Sequence, residues 1–478
     1  MNTDACWPTL DEAKATVLGM QTKLHQWATD APNRRFCDLY NLVYNPAFLM
    51  VAWDRIRRNR GARSAGVDHV RPSDIPRDEV SILSQLRDDL KAGRFVPLPV
   101  RERMIPKASS GKLRRLGIPT ARDRIVQASL KLVLEPIFEA DFKPSSYGFR
   151  PRRRPHDAIA EIHMFASQGY TWVLEGDITA CFDEIDHTAL MDRLRHRIGD
   201  KRILSTVKAL LHSGILSEDG VIRETKSGTP QGGILSPLLA NIALSVLDEH
   251  FAEAWDRDMA TRSQRATRRN HKEATYRLIR YCDDFVVMVH GTKVHAEVLR
   301  DEVAVVLSSV GLRLSPEKTM TVHIDEGFDF LGFRIQRQIK RGSNKAYVYT
   351  WPSKKSLSSI KAKVKAITKQ GTNKPLSDLL RQINGVLRGW TTYFRHCVSK
   401  DSFSYLHQYT WLRVVHWLRR KHRRANWKWL RRHYLAKAWM PEQDGEALFD
   451  CRSVKVARYR YRGAAIPSPW AGKDEKAS

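Results

Sequence analysis

The stretch Arg277–His290, RLIRYCDDFVVMVH, decides the fold. Two apolar, strand-sized runs flank Asp283 and Asp284. Aspartate favours turns, so the pattern predicts a β-hairpin with both carboxylates at its tip. Alone, such a pair is ordinary turn chemistry. Its meaning depends on what the rest of the chain brings to that edge.

A second strand ends in an acid. Trp172–Ile178 (WVLEGDI) reads as a buried strand with Asp177 at its end. Polymerising nucleotides calls for one metal ion to activate a primer 3′-hydroxyl and another to hold the triphosphate and the leaving pyrophosphate. Magnesium prefers carboxylate oxygens and keeps waters and phosphates as further ligands. If these strands pair, Asp177, Asp283 and Asp284 converge at one sheet edge and meet that need with two Mg2+ ions.

Outward from this edge, the first hundred residues read as helices broken by Gly61, Gly66, Pro72, Pro76, Pro97 and Pro99. Met104–Ile118 has the pattern of a basic hairpin around a Ser-Ser-Gly turn. Thr120 then opens a helix with Ile125, Ala128, Leu132 and Val133 on its apolar side. Further helices are expected at Thr188–Ile198, from Ser236 and Pro237 onward, and at Val294–Val310, which stops at Gly311. Gly228–Gly233 reads as a tight loop, and Phe330–Phe333 (FLGF) as a strand. The order strand, helix, helix, hairpin, helix, strand predicts a split βαβ sheet with helices on one face. After Trp351 the helical stripes Leu357/Ile360/Val364/Ile367, Leu379/Leu380/Ile383/Val386/Leu387 and Trp411/Val414/Val415/Leu418 predict an all-helical module, ended by Pro441.

A chain of 478 residues is too long for one ordinary core. Its 81 Lys and Arg against 52 acids give a formal net charge of +29. That excess points to a polyanion, and nucleic acid is the natural partner. A membrane surface would require a basic amphipathic helix with an exposed apolar face, and none stands out. No run approaches the roughly 20 apolar residues of a membrane helix, and Met1–Asp4 does not begin a signal peptide. The expected location is therefore the cytoplasm, at the nucleoid when acting on DNA. The six cysteines form no C-x-x-C pair, which speaks against a zinc finger or a disulfide framework.

Seven segments, in order, resemble the reverse transcriptase domain of group II intron-encoded proteins. They are Leu113–Val126 (LRRLGIPTARDRIV), Ser145–Arg150 (SSYGFR) with Pro151, Arg152 and Ala158, and Val173–Asp183 (VLEGDITACFD). Ser227–Asn241 (SGTPQGGILSPLLAN), Arg280–Phe285 (RYCDDF), Leu314–Thr319 (LSPEKT) and Phe330–Phe333 (FLGF) complete the set. The resemblance implies an α+β right-hand polymerase of fingers and palm, with a split βαβ-like antiparallel palm sheet. An all-helical thumb and maturase domain follows. The implied boundaries are 1–100 for an N-terminal extension and the start of the fingers, 101–350 for fingers and palm, 351–440 for the thumb and maturase domain, and 441–478 for a short basic tail.

The same resemblance assigns roles. Asp177 and Asp283 would ligate both metal ions, with Asp284 supporting the second or shaping the site and the Ile178 carbonyl as a further ligand. Mg2+ is the implied ion, and Mn2+ could substitute. Phe182, five residues after Asp177, matches the aromatic that excludes a 2′-hydroxyl; a buried core ring is the alternative. Lys107 and Arg114 would grip the triphosphate, Arg115 competing with Arg114 and plain surface charge with both. Gln231 would line the nucleotide pocket. Lys318 matches a lysine placed to protonate pyrophosphate, against a salt bridge to Glu317 or Asp325. Cys282 departs from the family, which commonly has alanine there.

Leu387–Phe394 (LRGWTTYF), His396, Trp411 and Trp417 resemble the family's thumb and maturase domain. Arg419–Arg432 (RRKHRRANWKWLRR) lacks acidic partners and reads as a phosphate-binding face. Arg458–Trp470 is expected to be a remnant of a DNA-binding segment, and no cysteine-rich endonuclease is expected. The implied partners are a group II intron RNA, target DNA with its primer, and deoxynucleoside triphosphates, with no membrane. Two rival uses remain: an RNA-binding splicing cofactor with an idle polymerase fold, and a reverse transcriptase serving phage defence or a CRISPR system.

Overall fold

The computed structural model describes residues 7–75, 79–106, 113–340, 342–435, 439–463 and 466–471. Its strands, in chain order, are β1 (Val100–Pro106), β2 (Leu113–Ile118), β3 (Trp172–Gly176), β4 (Ile215–Leu216), β5 (Ile222–Arg223), β6 (Thr275–Tyr281), β7 (Asp284–His290), β8 (Met320–His323), β9 (Phe328–Phe330), β10 (Phe333–Ile339), β11 (Ala346–Pro352), β12 (Glu442–Gln443) and β13 (Glu446–Ala447). The fold is mixed α+β, with a helical region toward the C-terminus.

The central sheet runs β6-β7-β3-β8, and its pairings are all antiparallel. Alternation along β7 explains what surrounds it. Phe285, Val287 and Val289 join Leu174 in one hydrophobic cluster with the helices Ala121–Asp141, Ser236–Asp258 and Lys293–Ser308. Val286 and Met288 join Val173 and Ile279 in a second cluster with the helix Pro155–Ser167, strands β9 to β11 and the C-terminal helices. The expectation of helices on one face is thus corrected. Both faces are apolar, so both are covered, and the strand reads as an unbroken apolar run.

Phe330–Phe333 also differs from its reading as a strand. Leu331 and Gly332 both have positive φ, 49° and 83°, and form a two-residue turn joining β9 to β10. This is the twist-matched hairpin turn. Strand β11, which pairs with β10 from Phe333↔Pro352 to Ile339↔Ala346, was not anticipated.

A second sheet, β2-β1-β4-β5, carries the basic hairpin. The helix Ala121–Asp141 starts beside it, capped by Thr120, whose hydroxyl accepts from the Asp123 amide at 3.2 Å. Burial pushes the Asp123 carboxyl up to about 6, against hydrogen bonds from Thr120 and Leu98 that lower it. The native state therefore holds this proton more tightly than the unfolded chain. Stability is lost as pH rises from about 4 through about 6, and stays lost above that. Asp123→Asn is expected to raise stability at pH 8 by on the order of 1 kcal/mol and to flatten the melting temperature between pH 4 and 6 in calorimetry.

Past β11 come the helices Lys354–Lys369, Leu376–Phe394, Lys400–Lys421 and Trp427–Tyr434. They close around Leu380, Ile383, Leu387, Val414 and Trp417, which is 1% exposed. The chain then doubles back. Asn384 donates to the Ala447 carbonyl at 2.8 Å. Tyr459 and Arg462 bond the Asp157 carboxylate, and Trp470 donates to Gln21 at 3.2 Å. Among the described residues, no helix is long and apolar enough to cross a membrane.

Candidate active site

The hairpin register ends at Tyr281↔Asp284, leaving Cys282 and Asp283 as the turn. Cys282 has φ +60°, a left-handed conformation that costs a side-chain-bearing residue roughly 1–2 kcal/mol. The surroundings enforce it. A Cβ on Gly148 would lie 2.3 Å from both the amide nitrogen and the Sγ of Cys282, so the turn seats against a bare backbone.

Arg280 holds that seat together. Its Nε and Nη2 pair bidentately with Asp248 at 2.9 and 2.5 Å. Nη2 also reaches Ser146 Oγ at 2.7 Å. Nη1 donates to Asn241 Oδ1 at 3.0 Å and to the Cys282 carbonyl at 2.8 Å. All five guanidinium donors are used, and both charged side chains are 0% exposed. Asn241 in turn donates to the Gly148 carbonyl at 2.8 Å. One buried cation thus ties the turn to the helix Ser236–Asp258 and to residues 146–148. Sequence reading missed this role. The available signal was an arginine inside an apolar strand.

On the neighbouring strand the last pair is Gly176↔Phe285. One step further, the register sets Asp177 across from Asp284. The Asp177 carbonyl accepts from Ser315 at 2.8 Å, and Thr179 donates to the Arg313 carbonyl at 2.9 Å. Buried Ile178 bridges to Leu314. This clamp explains why Leu314–Thr319 belongs with the site. Lys318 Nζ lies 2.8 Å from Asp177 Oδ2, so its partner is neither Glu317 nor Asp325.

The acids bear on one another electrostatically. The side chain of Asp284 reaches the surface, yet the protein around it strips water from its carboxyl. That desolvation, with repulsion from Asp283 and Asp177, pushes it up to about 6. Glu175, in β3 two residues before Asp177, is pushed up to about 7 by burial and by Asp329 and Asp284. It is a second residue that sequence reading passed over. Among the described residues, no group of three or more acid, His or Cys side chains is gathered closely enough to hold a metal ion by itself. An open edge of mutually repelling carboxylates suits a hard divalent ion that draws its remaining ligands from water and phosphate.

The loop at 228–233 links the other candidate residues. Thr229 donates to the Phe182 carbonyl at 2.6 Å, and Gly117 at the end of β2 donates to the Gln231 carbonyl at 2.8 Å. A Cβ on Gly228, where φ is +81°, would lie 2.5 Å from the Asp183 carbonyl oxygen. The half-buried Phe182 ring meets Phe149 edge-on, with centroids 6.4 Å apart. Phe149 is 48% exposed at φ +56°. Its turn is anchored by the buried pair of Arg150 and Glu139, 2.8 Å apart. Arg115 pairs with Glu102 at 3.6 Å. Arg114, on the opposite face of β2, is exposed and makes no ion pair among the described residues. Lys107 lies outside the described residues.

Residues 105–335 match the reverse transcriptase (RNA-dependent DNA polymerase) family, and residues 357–435 match the group II intron, maturase-specific domain. Protein YkfC of Escherichia coli (strain K12) is 38% identical over 355 residues, covering 70% of this chain and 93% of that protein. The group II intron-encoded protein LtrA of Lactococcus lactis is 32% identical over 345 residues, 63% of this chain and 57% of LtrA. An uncharacterized 91 kDa protein in the cob intron of Schizosaccharomyces pombe is 32% identical over 334 residues. The chain spans 41% of that protein's length.

Proposed function

Since the chain belongs to the reverse transcriptase family of group II intron-encoded proteins, we propose that it copies an intron RNA into DNA at the edge formed by Asp177, Asp283 and Asp284, and assists that intron's splicing through its maturase domain. The observation that carries this reading is the antiparallel register that sets Asp177 across from Asp284, with Asp283 in the adjoining turn.

Enzymes of this family use divalent metal ions. In this reading the ions are two Mg2+, held by Asp177, Asp283, Asp284 and the Ile178 carbonyl. They would lower the pKa of the primer hydroxyl and neutralise the transferring phosphate. The protein's own groups do the rest. The Arg280 network fixes the turn, and the Leu314–Ser315 clamp fixes Asp177. Gln231 and Arg114 line the approach to the triphosphate, with Lys107 beyond the described hairpin strands. Lys318, already at the Asp177 carboxylate, stands where a proton can be passed to leaving pyrophosphate.

The sheet of β1, β2, β4 and β5 serves as fingers, the central sheet as palm and the helices after Trp351 as thumb, within the boundaries 1–100, 101–350, 351–440 and 441–478. Target DNA, a primer and deoxynucleoside triphosphates are the substrates, and the cytoplasm the workplace.

Phe182 supplies the test of substrate class. Its ring is held edge-on by Phe149 and its backbone by Thr229, so it presents a fixed wall to the sugar. Phe182→Val is expected to raise ribonucleotide incorporation relative to deoxynucleotide by at least about tenfold, a difference of roughly 1.4 kcal/mol in transition-state energy. Single-nucleotide extension on an RNA template measures it. Unchanged discrimination would remove Phe182 from the sugar pocket.

A further inference from the structure

Strand β11 places three aromatic side chains on one face. Tyr347, Tyr349 and Trp351 alternate with Val348, Thr350 and Pro352, and the second set is buried. Tyr347 is 46% exposed, and Tyr349 and Trp351 are half-buried. Tyr349 and Trp351 stack with centroids 5.5 Å apart and 23° between planes. Among the described residues, none of the three belongs to either hydrophobic cluster. The register sets Arg334 opposite Trp351, Gln336 opposite Tyr349 and Gln338 opposite Tyr347. The outward face is therefore a ladder of rings beside a ladder of polar groups.

The polar ladder is held in place. Gln336 Nε2 donates to the Asp325 carbonyl at 2.8 Å, and Gln338 Nε2 to Gln336 Oε1 at 3.2 Å. The acids nearby are neutralised, Asp325 by Arg337 at 2.6 Å and Asp329 by Arg334 at 3.4 Å. Exposed lysines stand at both ends, Lys340 and Lys345 at the far turn and Lys354 and Lys355 beyond Trp351. The chain enters this sheet from the active-site side, since β8, whose Met320 pairs with Glu175 two residues before Asp177, runs into β9 and β10.

An exposed ring flanked by half-buried ones on an edge strand invites aggregation unless something uses the face. Every second residue is about 7 Å further along the strand, and the Tyr349 and Trp351 rings lean together to 5.5 Å. Sheet-borne aromatics at such spacing stack splayed bases, and flanking cations take the phosphates. We propose that the Tyr347–Tyr349–Trp351 face binds an unpaired RNA strand leading away from the active site. RNA is favoured over a protein partner because cations bracket the rings, and over DNA because the fixed amides beside them offer hydrogen bonds to ribose hydroxyls. The proposal rests on the RNA-binding part of the reading above and is independent of polymerisation.

The test is photocrosslinking of the full-length protein to a short single-stranded RNA carrying 4-thiouridine, with peptide mapping. The expected result is a crosslink within residues 346–351. It should be lost in Tyr347→Leu/Tyr349→Leu, with affinity for the strand falling at least about fivefold. Tyr347→Phe/Tyr349→Phe, which keeps the rings, should retain both. Crosslinks confined to other segments, unchanged affinity in the leucine variant, or an equal yield with the matching DNA oligomer would overturn the proposal. Primer extension by the unsubstituted protein, run in parallel, reports the polymerase reading separately.

Discussion

Asp283→Ala combined with Asp284→Ala is expected to abolish complementary DNA synthesis while leaving RNA binding intact. Metal ions at such a site contribute several kcal/mol of charge stabilisation, so losing their ligands should lower the rate by on the order of 10³-fold or more. Both side chains lie in or beside a two-residue turn at the end of a strand pair, where neither supports the core. Removing them also removes a carboxylate that desolvation, with repulsion from Asp283 and Asp177, pushes up to about 6, so the fold should not suffer. RNA affinity depends on the 81 Lys and Arg, most of them remote from this edge, and should stay within about twofold at fixed salt. Primer extension and filter binding on the same preparation separate the effects. Matching losses in both would point to misfolding, and normal extension would remove these aspartates from the chemistry.

The second large effect is expected at Arg280. Its guanidinium and the Asp248 carboxylate are fully buried and bidentate. Arg280→Ala leaves Asp248 as an unpaired buried charge and strips the Asn241 and Cys282 acceptors of their donor. Breaking such a pair costs about 3–5 kcal/mol, enough to lower the melting temperature clearly. Replacing both partners with apolar residues, Arg280→Met and Asp248→Leu, should recover much of that stability because no charge is stranded. Activity should not recover in step, since the Cys282 carbonyl still lacks its anchor and the Asp283 turn is free to shift. The measurement is a thermal melt beside kcat and KM for the three proteins. A double variant with normal kcat would show the arginine to be structural only.

Much of this was legible in the sequence, and the gaps have physical causes. The β3, β6 and β7 strands were readable because their apolar runs end in acids or turns, and helix starts because Thr120 and Pro237 mark them. Phe330–Phe333 misled because a two-residue turn between buried phenylalanines looks like one apolar strand, and φ at Leu331 and Gly332 is not written in residue type. β11 is hard to read in advance because its alternation pairs tyrosines and a tryptophan with Val348, Thr350 and Pro352, so neither face looks apolar. Helix cover on both sheet faces could be inferred only once the alternation along β7 had a partner on each side. Arg280 vanished among the other basic residues, since net charge does not tell a buried guanidinium from a solvated one. The partner of Lys318 was out of reach because Asp177 lies 141 residues away in sequence.

The most direct test of the account is extension of a DNA primer on an RNA template by the purified chain, with deoxynucleoside triphosphates and Mg2+. The predicted result is full-length complementary DNA that disappears when the metal is chelated and when Asp177 is replaced, as Asp177→Asn. Absence of extension under conditions where the protein binds the template, or extension that survives Asp177→Asn, would contradict it.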